Sequence, residues 1–575
     1  MAIRSAKNFK NVLLYVVVFV VACSFYTLTR ASNHAESYDS LTYALFAENF
    51  PLGNAPDSRN ILFQAFNRIV YCGSQSLGLN IDALDLIIAL SLVTGSLSLI
   101  LFSRLMQNSF GVSPIAAWMG SAFLGLAYGY WRYTGAAEVY LPSIFLVLCC
   151  LTTLCRYFDK PGSSHWRLIL ASILAGIAVL FYQPNLLALF IAVPVLFLVK
   201  FRFIHLFAYW TIAGLVVLAG VVSAYAAMAG HVPTTGDLFH YVVERNSEFR
   251  TDFSLPKAAV KLTLAGGHDV LSAHWTRTLE PVKSVLDGYI PGCVYNFEVV
   301  FFAGKGIEYL TAIAAILFIP ICVLFARLWW IASSQWRFSK PTNRNLFLLA
   351  WFLIQVGVVG LIDPGSFEAS IPALVPFACL LTVFVFEPCL RAGKKRTVMV
   401  FLVLMLSYNY FGGMLIWQNT GGDYYRNKTT WIRQELTEHD YVLLNEYDYR
   451  FVDYLTYNSD ATIAHLTGAD HITIDRGSPD ISYHTIQQFF IRCRSGQHRI
   501  FVMDDVLEPC AEIKECRGGE EKYAAAVALS VELKGKTKLV AEDKFGNTYQ
   551  LDPATLYLEK PNRTVKLSTK KGTTQ

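Results

Sequence analysis

Long apolar runs restrict the fold of this chain more than any other feature of its sequence. These runs carry few or no charged residues and lie at 11–29, 86–103, 113–130, 139–155, 168–182, 186–199, 203–228, 307–328, 345–361, 371–387 and 397–417. A helix of about 20 apolar residues is long enough to cross the hydrocarbon core of a bilayer. Only 16% of the residues are charged and 54% are hydrophobic, which is unlike an ordinary soluble domain. The sequence therefore predicts a polytopic α-helical membrane protein with about 11 transmembrane helices.

Basic residues between the runs predict how the chain is oriented. The stretch 168–199 is interrupted only by Gln183-Pro184-Asn185, and two short spans joined there bring the total to 11. With the N-terminus in the cytoplasm, two basic clusters then face the cytoplasm: Arg327, Arg337, Lys340 and Arg344, and Arg391, Lys394, Lys395 and Arg396. If residues 168–199 instead formed a single span, both clusters would lie outside the cytoplasm, against the positive-inside rule. We therefore predict that this turn lies near the outer interface and lines a cavity.

This orientation divides the chain into a membrane domain, residues 1–420, and an extracytoplasmic domain, residues 421–575. The membrane domain exposes four loops on the non-cytoplasmic side, at about 30–83, 131–138, 230–306 and 362–370. In the second domain, strands are predicted at 441–445, 461–466 and 499–505, helices at 447–457 and 481–493, and a closing hairpin at 538–551. This alternation predicts a small α/β domain, which ends in a disordered tail.

The first external loop carries two acids at helical spacing. Glu36 and Asp39 are three residues apart and share one face of a helical turn. Leu41, Ala44 and Leu45 follow at helical spacing, which predicts a half-buried interfacial helix. Two such carboxylates could serve as a general base and its partner. Solvated loop acids would give the same pattern, so the loop alone leaves both interpretations open.

The other external loops also carry charged residues near the ends of spans. Glu138 stands at the mouth of a span, six residues after Arg132, and helix capping would explain it equally well. Asp363 and Glu368 enclose a Pro-Gly turn, which explains part of that motif without chemistry. Lys305 enters the eighth span and could contact a lipid phosphate or extend to the interface.

Several classes of protein are disfavoured by motifs that the sequence lacks. There is no glycine-rich phosphate loop, no GxSxG and no DxD-like signature of a nucleotide-sugar enzyme. The long loop contains acidic, basic and histidine residues but no HxxxH or HExxH pattern, so we predict no metal site. A net charge of +5 without a basic stripe argues against nucleic acid as a partner.

Three segments carry a resemblance to a known family: Glu36-Ser-Tyr-Asp39-Ser-Leu-Thr-Tyr43-Ala, Asp57-Ser-Arg59-Asn60-Ile-Leu-Phe and Trp131-Arg-Tyr-Thr-Gly-Ala-Ala-Glu138-Val-Tyr140. With the topology, they resemble the GT-C integral-membrane glycosyltransferases, which include bacterial and protein O-mannosyltransferase-like members. The resemblance covers most of residues 1–420. Many relatives carry a paired Asp-Glu in the first loop, whereas this chain separates its acids. Arg59-Asn60 stands where relatives often have lysine or histidine, which puts the phosphate contact in question.

The resemblance implies a hexosyl- or pentosyltransferase that takes its sugar from a polyprenyl-phosphate donor. The acceptor hydroxyl would belong to a glycan, a lipid or a protein on the non-cytoplasmic face, and the anomeric carbon would be inverted. Asp39 would be the general base, and Glu36 or Glu138 would orient the acceptor or stabilise positive charge on the sugar ring. Donor phosphate and substrate would be bound by residues among Arg59, Arg132, Lys305, Tyr43, Gln183, Asn185, Asp363 and Glu368. No cofactor or metal is required, although a divalent cation is compatible with this chemistry.

Two other functions stay open at this point. A polymerase or ligase of surface glycans that uses a lipid-diphosphate donor would share the topology, but its long loop would be basic, whereas residues 230–306 carry both signs in similar number. A lipid or glycan transporter would place ionisable residues within its spans, and here they cluster in external loops. We expect an integral protein of the bacterial inner (plasma) membrane, surrounded by membrane lipids, with its C-terminal domain outside the cytoplasm.

Overall fold

The computed structural model divides the chain into two compact units, Met1–Asp423 and Tyr424–Gln575. It describes residues 2–31, 38–49, 59–159, 165–198, 202–242, 255–278, 284, 307–336, 343–362, 367–418, 430, 432, 434–444, 449–465, 498–509, 519–543 and 546–552. The predicted residues Glu36, Lys305 and Asp363 and the predicted helix at 481–493 lie outside these ranges.

The first unit is built from helices. Its N-terminal half contains α1 (Ala2–Leu28), α2 (Tyr38–Asn49), α3 (Ile61–Ser76), α4 (Ala83–Phe110), α5 (Pro114–Leu126), α6 (Tyr128–Thr134), α7 (Tyr140–Asp159), α8 (Trp166–Phe181) and α9 (Leu187–Leu198). Then follow α10 (Phe203–Ala229), α11 (Thr235–Val242), α12 (Leu255–Val270), α13 (Trp275–Thr278), α14 (Ile307–Trp336), α15 (Asn343–Ile362), α16 (Phe367–Leu381), α17 (Glu387–Arg391), α18 (Lys395–Asn409) and α19 (Leu415–Trp417). Single π-helical turns, Thr382–Phe386 and Tyr410–Met414, join α16 to α17 and α18 to α19.

Six apolar helices in the described part of the chain are long enough to cross a membrane: Ala83–Phe110, Tyr140–Asp159, Phe203–Ala229, Tyr309–Gln335, Ser370–Arg391 and Lys395–Trp417. Five shorter apolar helices fall in the other predicted runs: Val12–Leu28, Pro114–Leu126, Trp166–Phe181, Leu187–Leu198 and Arg344–Gly357. The integral-membrane character is thereby confirmed. The count of 11 spans stays a prediction.

Local sequence signals make α4 and α5 antiparallel neighbours. Gly111 ends α4 in the left-handed region at φ 66°, a conformation that glycine adopts without a side-chain clash. Ser113 then caps α5 by accepting a hydrogen bond from the Ala116 backbone N–H, and Pro114 occupies the first helical position. This tight connection sends the chain back through the membrane unit and into the short helix α6.

The helix α6 is buried along its whole length and is fastened by hydroxyl and indole groups. Tyr130 donates to the Gly95 carbonyl oxygen of α4 at 2.7 Å, and Trp131 donates from Nε1 to Thr29 Oγ1 at 2.8 Å. All seven of its residues are buried. Because buried hydroxyl and indole groups need partners, these bonds fix the position of α6 between α1 and α4.

The second unit contains a five-stranded sheet in the order β2-β1-β3-β5-β4. The strands are β1 (Tyr441–Leu444), β2 (Thr462–His465), β3 (Ile500–Met503), β4 (Thr537–Asp543) and β5 (Gly546–Leu551). The strand β1 pairs in parallel with β2 and β3, whereas β5 pairs antiparallel with β3 and β4. The described part of this unit also contains the helices α20 (Tyr449–Asn458), α21 (Asp504–Leu507) and α22 (Gly519–Leu533).

The core of this unit joins the sheet to two of its helices. Its buried side chains are Leu443, Ile500, Val502, Val506, Leu507, Leu529, Leu533 and Leu551. They come from β1, β3, β5, α21 and α22, so one apolar layer lies between the sheet and the helices. A small α/β layer was predicted, and the sheet is present in this part of the chain.

Candidate active site

Asp39 lies in the first turn of α2, in the first external loop of the sequence. Its side chain is half-buried, and the predicted apolar residues Leu41, Ala44 and Leu45 are fully buried. Tyr43 on the same helix is also buried, so α2 is sunk into the unit on more than one side. Asp39 is therefore held at the start of a rigid helix rather than in a solvated loop.

Glu138 lies beside the start of α2. It is 1% exposed, and its Oε1 accepts a hydrogen bond from Ser40 Oγ at 3.2 Å. Its backbone carbonyl accepts a bond from Ser91 Oγ of α4, also at 3.2 Å. Since Ser40 is the neighbour of Asp39, the predicted acids Asp39 and Glu138 come together through this serine.

Arg132 and Glu368 are linked through Tyr133. Arg132 is 3% exposed; its guanidinium donates to the Tyr133 hydroxyl at 3.1 Å and lies over the Tyr133 and Trp417 rings at 4.7 and 5.1 Å. The Tyr133 hydroxyl in turn donates to Glu368 Oε1 at 3.0 Å, and the Tyr140 hydroxyl donates to Glu368 Oε2 at 3.2 Å. Both oxygens of this carboxylate are thus held by tyrosines.

Tyr182 shows that these groups share one region. It follows α8 and packs edge-on against Tyr140, with ring centroids 5.4 Å apart. Burial raises the pKa of Tyr182, the carboxylates of Glu368, Asp39 and Glu138 raise it further, and the Arg59 guanidinium lowers it. The predicted residues Asp39, Arg59, Glu138 and Glu368 therefore all act electrostatically on one tyrosine.

Three other predicted substrate contacts lie nearby and have structural partners. Tyr43 is 4% exposed, and its hydroxyl accepts a bond from Asn60 Nδ2 at 2.8 Å. Asn185 is 3% exposed and donates to Ser143 Oγ at 2.7 Å and to the Ala178 carbonyl at 2.8 Å. The Gln183 backbone N–H donates to the Arg59 carbonyl at 3.0 Å. These bonds hold the predicted turn and the first loop together, and the substrate contacts stay predictions.

A second buried polar cluster adjoins the first and was not predicted as a unit. The His274 ring and the Trp417 indole both bond to the Tyr128 hydroxyl, at 3.0 and 2.7 Å. His268 Nδ1 accepts from the Ala273 backbone N–H at 2.9 Å, so its Nε2 carries the proton of the neutral ring. The sequence showed His268 and His274 in the long loop, but Tyr128 and Trp417 lie in apolar runs and gave no polar signal. Within the described residues, no group of three His, Cys, Asp or Glu side chains could hold a metal ion.

An apolar cavity of about 770 Å³ lies among the helices of the first unit. Its apolar wall includes Phe123, Leu262, Phe318, Ile321, Cys322, Phe325, Phe352, Val356, Leu374, Phe377, Leu381 and Phe401. Its polar lining includes His268, Asp269 and Ser370, and the Ser370 hydroxyl donates to Asp269. Ser370 and Glu368 both lie in the first turns of α16. The start of α16 therefore contributes Ser370 to the cavity and Glu368 to the group of acids.

Comparisons with known proteins give a match at the level of structure. No protein-family model matches the chain. No curated protein sequence matches it either. The structure of ArnT from Cupriavidus metallidurans bound to undecaprenyl phosphate is similar, with 14% identity, a TM-score of 0.52, and coverage of 94% of this chain and 97% of that chain. The apo state of the same protein gives 14% identity, a TM-score of 0.52, and coverage of 96% and 99%.

This likeness extends over nearly the whole of both chains, and at 14% identity it carries the fold alone. ArnT is a GT-C glycosyltransferase. The resemblance that the acidic segments indicated is therefore confirmed for the architecture. The chain has the overall fold of ArnT, and its apolar helices are those of an integral membrane protein.

Proposed function

We propose that the protein transfers a sugar from a polyprenyl-phosphate donor to an acceptor hydroxyl. The observation that carries this proposal is that three predicted acids are linked by short contacts: Ser40, the neighbour of Asp39, donates to Glu138, and Tyr140, two residues after Glu138, donates to Glu368. Carboxylates suit the activation of a hydroxyl, a cation suits the departing phosphate, and the cavity suits a lipid chain. The fold agrees, because similar structures are those of ArnT, one of them bound to undecaprenyl phosphate.

The proposed reaction is a direct displacement. Asp39 takes the proton of the acceptor hydroxyl while the acceptor oxygen attacks the anomeric carbon of the sugar. The bond from that carbon to the phosphate oxygen breaks, its electron pair leaves with the polyprenyl phosphate, and the anomeric carbon is inverted. Glu138 supports Asp39 by holding the adjacent Ser40. Glu36 precedes α2 in the sequence and is kept as a second candidate for orienting the acceptor.

We assign the donor phosphate to Arg59 in preference to Arg132. The Arg59 side chain is exposed at the entrance to α3, so a ligand can reach its planar guanidinium. Arg132 is buried between Tyr133 and Trp417 and acts on the site through the Tyr133 hydroxyl. Lys305 remains a further candidate for this phosphate. The proposed reaction needs no resident metal, because the leaving phosphate is neutralised by side chains.

The cavity is proposed to receive the lipid chain of a substrate. Its volume of about 770 Å³ falls among ligand sites, which span about 300–1,000 Å³. Burying apolar surface there stabilises a bound chain by about 25 cal/mol per Å².

The side of the membrane follows from the distribution of basic residues. The basic clusters between the spans support a position of the acidic loops and the C-terminal unit outside the cytoplasm, by the positive-inside rule. We propose a protein of the bacterial inner membrane whose N-terminus is cytoplasmic. Its acceptor is a glycan, a lipid or a protein that is available on the outer face.

The test is a screen of donors with the purified protein. Undecaprenyl-phosphate sugars, undecaprenyl-diphosphate sugars and nucleotide sugars are each incubated with the protein and a membrane extract as the source of acceptor. The nucleotide sugars are also tested with an extract from which lipid has been removed, and products are identified by mass spectrometry. The proposal expects transfer from at least one undecaprenyl-phosphate sugar. Transfer from a nucleotide sugar in lipid-free conditions would overturn the donor class, and transfer only from a lipid diphosphate would favour a polymerase or ligase.

A further inference from the structure

The membrane unit carries a cluster of basic side chains at the end that lies away from the candidate active site. The members of this basic cluster are Arg156, His165, Arg167, Arg202 and His205, and they come from the adjoining ends of α7, α8 and α10. We propose that the basic cluster binds the phosphate head group of an anionic phospholipid. This is a second site, and it does not depend on the proposed reaction.

The course of two helices separates the basic cluster from the acids. The helix α7 begins at Tyr140, which bonds to Glu368, and it ends at Asp159, next to the basic cluster. The helix α8 then returns and ends just before Tyr182. Since α7 has 20 residues, it is about 30 Å long, which is close to the thickness of the hydrocarbon core of a bilayer. The basic cluster therefore belongs to the opposite leaflet.

Arg202 is held against the end of α7 by two aromatic rings. Its Cζ atom lies 5.4 Å from the centroid of the Tyr157 ring and 5.7 Å from that of the Phe158 ring. Both aromatic side chains are buried, whereas Arg202 is partly exposed. A planar guanidinium that packs on rings in this way still offers the N–H groups of its edge to a phosphate.

Two histidines and two further arginines extend the basic cluster onto α8. The His165 and His205 rings are nearly parallel, at 11°, with centroids 6.2 Å apart, and His205 Nδ1 is buried without a hydrogen-bond partner among the described residues. Arg167 Nη1 lies 3.5 Å from the carbonyl oxygen of Arg156. The Arg156 side chain is exposed and that of Arg167 is partly exposed, so a ligand can reach both guanidinium groups.

The positive charge of the basic cluster is not balanced by nearby acids. Residues 139–229 contain one acid, Asp159, and it pairs with Arg344 of α15. Within the described ranges, no carboxylate forms an ion pair with any of the three arginines of the basic cluster. The sequence adds Lys160 and Lys200 in the connections that precede α8 and α10. An anion would supply the missing negative charge.

Apolar residues beside the histidines favour a lipid over free phosphate as the source of that anion. Trp166, Phe203, Ile204 and Phe207 are all exposed, and each lies within two residues of a histidine of the basic cluster. A free phosphate ion would gain nothing from these side chains, whereas the acyl chains of a phospholipid would cover them. Basic pockets between transmembrane helices bind anionic head groups for the same reason.

A general attraction to the membrane surface has to be separated from a built site. Basic residues at this end also orient the chain, and that role depends only on the number of charges. Arg391 provides the comparison, because it ends the span that begins at Ser370 and donates to Glu387 at 2.9 Å. A diffuse attraction would respond equally to Arg391 and to the arginines of the basic cluster.

The experiment measures the binding of phosphatidylglycerol and of phosphatidylcholine to the full-length protein by native mass spectrometry. Both lipids contain a phosphate, but only the first has a net negative charge. The variants are Arg202→Gln, Arg156→Gln and Arg202→Lys, and Arg391→Gln is the control. In a further arm, inorganic phosphate or potassium chloride of equal ionic strength competes with phosphatidylglycerol. Thermal unfolding of each variant accompanies the binding curves.

The wild type is expected to prefer phosphatidylglycerol over phosphatidylcholine about tenfold or more. Arg202→Gln and Arg156→Gln are each expected to lower this preference about fivefold, since each removes one basic residue near the head group. Arg202→Lys should keep most of the preference and Arg391→Gln all of it. Inorganic phosphate should displace the lipid no better than potassium chloride does.

Equal binding of the two lipids by the wild type would overturn the inference, as would an unchanged preference in Arg156→Gln. The second result is decisive even if Arg202→Gln fails to fold, because the exposed Arg156 side chain is not needed for packing. An equal loss in Arg391→Gln would show a diffuse attraction instead of a site. Displacement by inorganic phosphate alone would assign the basic cluster to the free ion and overturn the lipid. None of these outcomes bears on sugar transfer.

Discussion

At the scale of single residues, the site depends on which charged side chains a ligand can reach. Arg59 is exposed at the start of α3, and Arg132 is 3% exposed behind two aromatic rings. Both were equivalent candidates in the sequence, because exposure is a property of the folded chain. Their different burial is the basis for proposing different roles, with Arg59 contacting the donor phosphate, whereas Arg132 is bonded to Tyr133.

Replacing each arginine by glutamine should separate these roles. Arg59→Gln is expected to raise the KM for an undecaprenyl-phosphate sugar about tenfold or more, since a charge-assisted contact to the phosphate is lost, with little change in thermal unfolding. Arg132→Gln is expected to lower the unfolding temperature, because a buried residue loses two ring contacts. Steady-state kinetics and thermal unfolding check this. A raised KM in Arg132→Gln together with an unchanged KM in Arg59→Gln would contradict the assignment of the phosphate to Arg59.

The sequence located acids of the site but not the contacts that orient them. Asp39, Glu138 and Glu368 were found because charges are rare in this chain and the topology placed all three on one side. Tyr133 and Tyr140 donate to a carboxylate that lies 235 and 228 residues further along the chain. A tyrosine near an apolar run gives no sign of whether its hydroxyl is bonded, so the two positioning residues required the structure.

At the scale of elements, the short buried helix α6 positions the site. It carries Arg132 and Tyr133 toward Glu368, and Tyr128 toward His274 and Trp417. Aromatic residues in a long apolar run predicted a span, and the sequence did not show that the span ends at Leu126 and that a separate helix follows. Only Ala127 separates the two helices, but the change of direction there sets the positions of Arg132 and Tyr133.

The close packing of α4 on α6 can be tested at Gly95. A Cβ at this position would lie 2.8 Å from Thr134 Cγ2, closer than carbon atoms pack, so Gly95→Ala must push α6 away from α4. The expected cost is about 1–3 kcal/mol of unfolding free energy, with a loss of activity because α6 carries Tyr133. Gly73→Ala in α3 is the matched control, since nothing lies within 4 Å of its added methyl group. Equal stability of the two variants would contradict this packing.

In the C-terminal unit, an ion pair fastens the entrances of β1 and β3. Arg499 donates from Nε to Asp440 Oδ1 at 2.8 Å and from Nη2 to Oδ2 at 2.6 Å. Burial opposes ionisation of Asp440, but the bonds from Arg499 and from Thr437 prevail and lower its pKa below 3.8. The two strands were predicted from the pattern of their residues. The ion pair was not predicted, because it joins residues that lie 59 positions apart.

This pair makes the second unit less stable in acid. The pKa of Asp440 is lower in the folded state than in the unfolded state. The contribution of this carboxylate to the unfolding free energy is therefore fully present above about pH 4, and it is lost as the pH falls through the pKa of the folded state. Asp440→Asn is expected to remove this pH dependence and to destabilise the unit at neutral pH. Hydrogen exchange of the β1 and β3 amides in the full chain, measured against pH, checks both effects. An unchanged pH profile in the variant would contradict them.

At the scale of the whole membrane unit, α16 contributes both to the cavity and to the group of acids. The apolar lining comes from helices that are far apart in the sequence, including α5, α12, α14, α15 and α18. Apolar runs predicted these helices. The turn at Gln183-Pro184-Asn185 was expected to line a cavity, and it is not part of the lining of this one. The order in which the helices pack follows from side-chain shape, which runs of similar hydropathy do not reveal.

Cys322 offers a direct probe of what the cavity holds. It lines the cavity and its side chain is exposed, whereas Cys72 on α3 is exposed elsewhere. If undecaprenyl phosphate enters the cavity, alkylation of Cys322 should slow several-fold while alkylation of Cys72 continues at its own rate. Mass spectrometry of the labelled peptides gives both rates in one sample. Equal alkylation rates at Cys322 with and without undecaprenyl phosphate would show that the lipid chain binds outside this cavity.

The central claim is that Asp39 is the base of a sugar transfer from a polyprenyl-phosphate donor. The most direct test compares the wild type with Asp39→Asn for the release of undecaprenyl phosphate from the donor identified in the screen. Asp85→Asn is the control, because this acid is exposed and pairs only loosely with Arg30 at 3.5 Å. We predict a fall of about 10²–10⁴-fold in rate for Asp39→Asn, with donor binding and thermal unfolding unchanged. A purified Asp39→Asn protein that releases undecaprenyl phosphate as fast as the wild type would contradict the account.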